Sequence, residues 1–124
     1  MELAVFFKSI IDQDKEPVVI CDLDHKIIYM NAAACDHYDK FGGAKLLGQS
    51  VLDCHNPRSV EMINKVVDWF KADKTHNSVH TYYSKSKNMD IYMIALRDEQ
   101  GELIGYYEKH ESRNQDTEPL YKMD

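Results

Sequence analysis

The fold of this chain is decided by residues 17–34, which read PVVICDLDHKIIYMNAAA. Two short apolar runs, residues 18–20 and 27–30, are rich in β-branched side chains and predict a pair of strands. The segment between them, residues 22–25, contains two aspartates and a histidine, whose side chains hydrogen-bond nearby backbone and favour a tight turn. Asn31 suits a helix N-cap, because its side-chain carbonyl accepts from amides that the first helical turn leaves unpaired. We therefore predict strand, turn, strand and helix in close succession.

The bulk composition is that of one folded domain. The chain has 124 residues, of which 44% are hydrophobic, enough for a core and too many for a disordered segment. Its net charge is −6 and its lysines are scattered, so we expect neither nucleic acid nor a membrane as a partner. No apolar run approaches the roughly 20 residues that span a bilayer, and the Met-Glu-Leu start lacks the basic region of a secretory signal. Three cysteines at irregular spacing argue against a disulfide framework, which favours a cytoplasmic location.

The chain divides into an N-terminal helix (1–13), a central domain (14–112) and a polar, flexible tail (113–124). The first region is predicted to be amphipathic, because its apolar residues recur close to helical spacing; they are Leu3, Phe6, Phe7, Ile10 and Ile11. A longer helix is predicted to begin at Asn56-Pro57, a capping residue followed by proline, and to run to about residue 71.

Three strands are predicted in the last third of the chain, at residues 79–84, 91–97 and 103–109. The linkers between them have hairpin length. The middle strand is apolar on both faces, so both faces should be covered. We expect the long helix and its short neighbours on one face, and the N-terminal helix, a second copy of the chain, or both on the other.

The predicted order of elements resembles that of a PAS domain, over roughly residues 14–112. The motifs that carry the resemblance are DLD followed by IIYMN (22–31), LLGQSV (46–51) and RDEQGELIG (97–105). Residues 47–57, LGQSVLDCHNP, are similar to a PAS subgroup with a Cys-His-x-Pro signature before the long helix.

The resemblance implies an α+β fold: a five-stranded antiparallel sheet with helices on one face and an N-terminal amphipathic helix. It also implies a sensory or regulatory module, not an enzyme, that binds a small molecule, haem, flavin or a second protomer. Family members usually sit beside a kinase, cyclase or DNA-binding domain. The sequence contains none of these, so we expect output in trans through a partner protein, or a chain that is a fragment of a longer one.

His55 is the sharpest single candidate for binding chemistry. It should lie just before the long helix, where the positive end of the helix dipole keeps the imidazole neutral and able to bind a metal, haem iron or a polar ligand group. A histidine that only caps the turn is the alternative. In haem-binding relatives the iron ligand lies within the long helix, which contains no histidine here; Met62 could ligate instead or simply fill the core.

The other polar candidates are weaker. Cys35, His37, Cys54 and His55 could supply four zinc ligands, but their spacing matches no standard zinc module. The cysteines could form a redox pair, yet no neighbouring positive charge lowers a thiol pKa. Neighbouring Cys54 and His55 cannot easily share a proton, which disfavours a nucleophilic enzyme.

We predict a homodimeric sensor that binds a small apolar or amphipathic molecule between the sheet and the long helix. The predicted ligand-binding residues are Val51, Cys54, His55, Met62, Ile63, Val66, Val67, Tyr82, Met93, Ala95 and Tyr106. The predicted dimer interface is the apolar stripe Leu3, Phe6, Phe7 and Ile10. The alternatives are a ligand-free module for protein interaction or dimerisation, and a haem or metal sensor that uses His55.

Overall fold

The computed structural model describes the backbone of residues 1–124 and every side chain except that of Cys54. The α-helices of the described chain are α1 (Leu3–Gln13), α2 (Ala32–His37) and α3 (Pro57–Ala72), and 3₁₀ helices follow α2 at Asp39–Phe41, Gly43–Leu46 and Val51–Cys54. The strands are β1 (Val18–Asp22), β2 (Ile27–Met30), β3 (Ser78–Ser84), β4 (Met89–Arg97) and β5 (Leu103–Ser112). We call residues 32–54, which hold α2 and the 3₁₀ helices, the short-helix segment.

The strands of the described chain form one antiparallel sheet in the order β2-β1-β5-β4-β3. On β1, Val19 pairs with Met30 of β2 on one side and with Glu108 of β5 on the other. Because directly paired residues point to the same face of a sheet, these three side chains are neighbours on the inner face, where the helices lie. The predicted fold class is confirmed: an α+β fold with a five-stranded antiparallel sheet.

Helix α3 packs directly against the inner face of the sheet. Its Val66, Val67 and Phe70 are buried and belong to one core cluster with Met93 of β4 and Tyr106 of β5. Removal of this apolar surface from water stabilises the fold by about 25 cal/mol per Å². These side chains therefore pack on the sheet as part of the hydrophobic core.

Arg97 ties the end of α3 to the sheet. Its Nη2 donates to the backbone carbonyls of Phe70, Asp73 and His76, at 2.8, 3.1 and 3.0 Å. A helix leaves its last carbonyls without internal partners and carries a partial negative charge at that end. A guanidinium therefore satisfies this terminus well and fixes α3 to the last residue of β4.

Asn31 joins four segments and is only 1% exposed. Its Oδ1 accepts from the amides of Ala34 and Val18 at 2.9 and 3.0 Å, and its Nδ2 donates to the carbonyls of Ile11 and Glu16, both at 3.0 Å. The predicted N-cap of α2 is confirmed by the bond to Ala34. The three other bonds also fix α1 and the α1–β1 connection against the start of β1.

Helix α1 lies at the outer face of the sheet, at the end formed by β1 and β2. A groove of about 300 Å³ separates it from Ile20 and Tyr29, and the Tyr29 hydroxyl donates to Asp12 of α1. Outer-face residues of β4, such as Tyr92 and Ile94, stay partly exposed. The outer cover that we expected for β4 is therefore partial, because α1 sits beside the other end of the sheet. No helix in the described part of the chain is both long and apolar enough to cross a bilayer.

Candidate ligand-binding cavity

A cavity of about 190 Å³ lies between the sheet and the short-helix segment. Its walls are mostly apolar, and the residues that form them are Val19, Ile27, Met30, Tyr38, Phe41, Leu46, Val51, His55 and Glu108. An engineered apolar cavity of roughly 150 Å³ is large enough to hold benzene. The space therefore suits a small molecule with an apolar body.

The sheet supplies the floor of the cavity from three adjacent strands. Val19, Met30 and Glu108 share one register line across β2, β1 and β5, which places their side chains together on the inner face. Ile27 lies opposite Cys21 after a register shift between Ile20 and Cys21. The floor is thus built from strand residues whose positions are fixed by backbone pairing.

The short-helix segment supplies the opposite wall through a sharp change of chain direction. Gly42 and Gly43 both have positive φ, 114° and 53°, and a Cβ at Gly43 would lie 3.1 Å from the carbonyl oxygen of Cys35. Glycine is the residue that adopts this backbone without strain. The turn carries Phe41 and Leu46, on either side of it, into the cavity wall.

Glu108 is the acidic group in the wall, and it is held by two donors. The hydroxyl of Tyr38 donates to Glu108 Oε1 at 2.5 Å, and Nε2 of the buried His110 donates to the same oxygen at 2.7 Å. Burial by itself raises the pKa of Glu108, but the hydrogen bonds from His110 and Tyr38 outweigh it and hold the pKa below its ordinary value. The carboxylate is therefore ionised at neutral pH.

Two further basic side chains, His37 and Lys87, lie next to His110. The ring of His37 meets that of His110 edge-on, with 5.3 Å between ring centres, and Lys87 Nζ donates to His37 Nδ1 at 3.0 Å. Burial, together with Lys87 and His110, lowers the pKa of His37, so this imidazole is neutral at neutral pH.

Two of the predicted ligand-binding residues, Val51 and His55, line the cavity. Met62 and Tyr82 are instead 46% and 62% exposed. The others with described side chains belong to the hydrophobic core or pack against it: Ile63, Val66, Val67, Met93, Ala95 and Tyr106. The side chain of Cys54 lies outside the described part of the structure.

This cavity lies beneath the short helices, whereas we predicted a ligand site between the sheet and the long helix. Among the described residues, no side chain of α3 lines it, because Val66, Val67 and Phe70 pack closely on the sheet and leave the gap beneath the shorter helices. Sequence reasoning also missed Tyr38 and Glu108. Glu108 alternates with Tyr106 and His110 along the same predicted strand, so all three lie on one face of the sheet. A charged residue on the face that carries the core could have indicated Glu108 from the sequence.

Cys21 is a core residue, and its thiol is far from the thiolate form. Burial raises its pKa to about 12, so the thiol is protonated at neutral pH. The nearby Tyr106 hydroxyl has a raised pKa for the same reason and bonds to Nδ1 of His25 at 2.8 Å. Among the described side chains, three or more His, Cys, Asp or Glu residues nowhere come together as a metal site.

Comparison with known proteins identifies the family. The model of the PAS fold matches residues 11–109, so the chain belongs to the PAS family. Domains of this family are generally sensory or signalling modules. No curated protein matches the chain.

Solved structures share this fold at low sequence identity. The C-terminal domain of a protein from Streptococcus mutans is 17% identical with a TM-score of 0.71, and the match covers 88% of this chain and 84% of that one. The PAS domain of a protein from Colwellia psychrerythraea is 16% identical with a TM-score of 0.66, covering 90% and 97%. The Aer2 receptor from Vibrio cholerae, a dual PAS-heme oxygen sensor, is 18% identical with a TM-score of 0.56, covering 79% and 94%.

Proposed function

We propose that this chain is a sensory PAS module that binds a small apolar or amphipathic molecule in the cavity beneath the short-helix segment. The observation that carries the proposal is the cavity itself, which is lined mainly by apolar side chains and bounded by fixed strands. Its volume of about 190 Å³ admits one aromatic ring or a short aliphatic chain.

Signalling would arise because the two walls of the cavity belong to different parts of the fold. One wall belongs to the paired strands and the other to the short-helix segment, so a ligand that contacts both favours the packing in which they lie close together. Such differential contacts shift the population between arrangements of the segment. Tyr38 links the two walls directly, because its hydroxyl bonds to Glu108 of β5.

The output would pass through a homodimer or a partner protein. Leu3, Phe6, Phe7 and Ile10 of α1 are each more than half exposed, and an apolar stripe of this kind favours association. The same stripe supports the alternative of a ligand-free interaction module. In that case the cavity would have no occupant, and dimerisation or partner binding would be the whole function.

A haem or metal sensor that uses His55 is supported less well. His55 does line the cavity. However, the volume of about 190 Å³ lies below the roughly 300 Å³ at which pockets for drug-sized ligands begin, so a haem macrocycle does not fit without separation of the walls.

We also propose that the chain belongs to the PAS subgroup with the Cys-His-x-Pro signature, that it is cytoplasmic, and that it is not an enzyme. LGQSVLDCHNP supports membership of the Cys-His-x-Pro subgroup, and the irregular cysteine spacing supports a cytoplasmic location. The adjacency of Cys54 and His55 supports a binding module rather than an enzyme, since sequence neighbours cannot easily share a proton.

A cavity-filling variant tests the proposal. Native mass spectrometry of the purified protein and a thermal-shift screen of small aromatic and aliphatic compounds should reveal an adduct or a stabilising compound. Val51→Phe should abolish both effects, because the larger ring occupies the cavity. Leu47→Phe, at a partly exposed position outside the cavity wall, is the matched control and should retain them. A wild-type protein with neither adduct nor stabilising compound would favour the ligand-free module.

A further inference from the structure

Among the described residues, hydrogen bonds to the Glu108 carboxylate reach only one of its two oxygens. Tyr38 and His110 both donate to Oε1. No residue that the structure describes donates to Oε2. Glu108 is also a member of the cavity wall. The cavity wall therefore contains an ionised carboxylate whose second oxygen, Oε2, receives no hydrogen bond from the described residues.

This anionic oxygen in an apolar wall determines which ligands gain free energy by binding there. An ionised carboxylate can only accept hydrogen bonds. The Glu108 side chain is 27% exposed, so a ligand that enters the cavity takes water away from Oε2, which is costly unless the ligand supplies a donor. A ligand that brings an N–H donor with a positive charge relieves this cost, and charge-assisted bonds are roughly twice as strong as neutral ones.

We propose that the ligand is a small primary amine, with a protonated ammonium head bound to Glu108 Oε2 and an apolar body of about the size of a phenyl ring. This inference rests on the proposed function, because it assigns the chemistry of the molecule that the cavity binds. The apolar body fits the side chains on both walls, such as Met30, Phe41 and Leu46. An anionic head group is excluded by repulsion from the same carboxylate.

Four probes that share one aromatic ring separate the possibilities: benzylamine, benzyl alcohol, toluene and benzoate. Calorimetric titration of the wild-type protein should show benzylamine binding about tenfold or more tightly than benzyl alcohol or toluene, and no binding of benzoate. This order of affinities tests the proposed ammonium group on the wild-type protein alone, without any variant.

Glu108→Gln then tests whether the carboxylate is the cause. The amide can still accept from Tyr38 and His110 through its oxygen, while its NH₂ group replaces Oε2 and repels an ammonium. We expect benzylamine to lose about tenfold or more in affinity while toluene is unchanged. Glu111→Gln makes the same change at an exposed position of the same strand and should leave every affinity unaltered.

The outcomes distinguish this inference from the proposed function. If toluene binds as tightly as benzylamine, or if Glu108→Gln affects all probes alike in a folded protein, the amine assignment is overturned and the cavity proposal survives. If no probe binds the wild-type protein, both are overturned.

Discussion

At the scale of a single residue, Asn31 makes one contact that the local sequence predicts and three that it does not. Its bond to Ala34 follows from its place before an apolar helix start and is readable from the sequence. Its bonds to Ile11, Glu16 and Val18 join segments that lie 13 to 20 residues away. Those contacts depend on how strand and helix meet, so local propensity does not reveal them.

Replacement of Asn31 should therefore cost more than the loss of a helix cap. Asn31→Ala removes four hydrogen bonds from a buried site, and we expect a loss of about 2–4 kcal/mol in the free energy of unfolding. Asn56→Ala is the matched control, because this exposed N-cap of α3 makes a single bond to Ser59 and should cost about 1 kcal/mol. Urea denaturation measures both; equal losses would show that the longer-range bonds add nothing.

The ion pair of Asp90 with Arg113 predicts how the stability of the fold depends on pH. The hydrogen bonds from Arg113, at 2.7 Å each, outweigh burial and, with His80, lower the pKa of Asp90 in the folded protein. A depressed folded pKa adds stability above the unfolded value, about 3.9, and this contribution disappears as pH falls through the folded pKa.

The test compares urea midpoints between pH 7 and pH 3. Asp90→Asn should lower stability at pH 7 and approach the wild-type protein at the acid end, so the gap between the two narrows as pH falls. Asp24→Asn changes an exposed aspartate and should show no such narrowing. A gap that stays constant from pH 7 to pH 3 would contradict the assignment.

At the scale of elements, the sequence located the helices and strands, but it did not show how the short helices pack on the sheet. The long helix was predicted from Asn56-Pro57 to about residue 71, and α3 spans Pro57–Ala72. The strands were also found, because apolar runs and linkers of hairpin length mark them. The 3₁₀ helices are three or four residues long, too short for a period to show how they pack on the sheet. The cavity that they cover could not be located from sequence for that reason.

Helix α1 is the element that carries the dimer prediction. Phe6 is 54% exposed and belongs to the apolar stripe, whereas Val5 is 53% exposed and lies off it. Phe6→Glu should shift a dimer to monomer, because a charge at a buried interface is costly. Val5→Glu adds the same charge at similar exposure and should leave the dimer intact.

Light scattering at tens of micromolar protein measures the mass of both variants. A wild-type protein that is already monomeric at this concentration would remove α1 as a dimer interface. A Phe6→Glu variant that stays dimeric would place the interface elsewhere on the molecule.

At the scale of the whole molecule, two parts of the inner sheet face differ: one packs against α3 and the other lines the cavity. Beneath α3 the inner face is covered by core side chains, among them Val67 and Phe70 of the helix. Beneath the short-helix segment the same face is open and contains Glu108. One sheet thus provides a packed half that stabilises the fold and an accessible half that we propose binds the ligand.

A titration with benzene, followed by methyl NMR, tests this division most directly. Methyl signals of Val19, Ile27, Met30 and Val51, which line the cavity, should move in a saturable way, while those of Val66 and Val67 in the α3 core should stay in place. Saturable shifts confined to Val66, Val67 and Met93, or none at any methyl group, would contradict a binding cavity beneath the short helices.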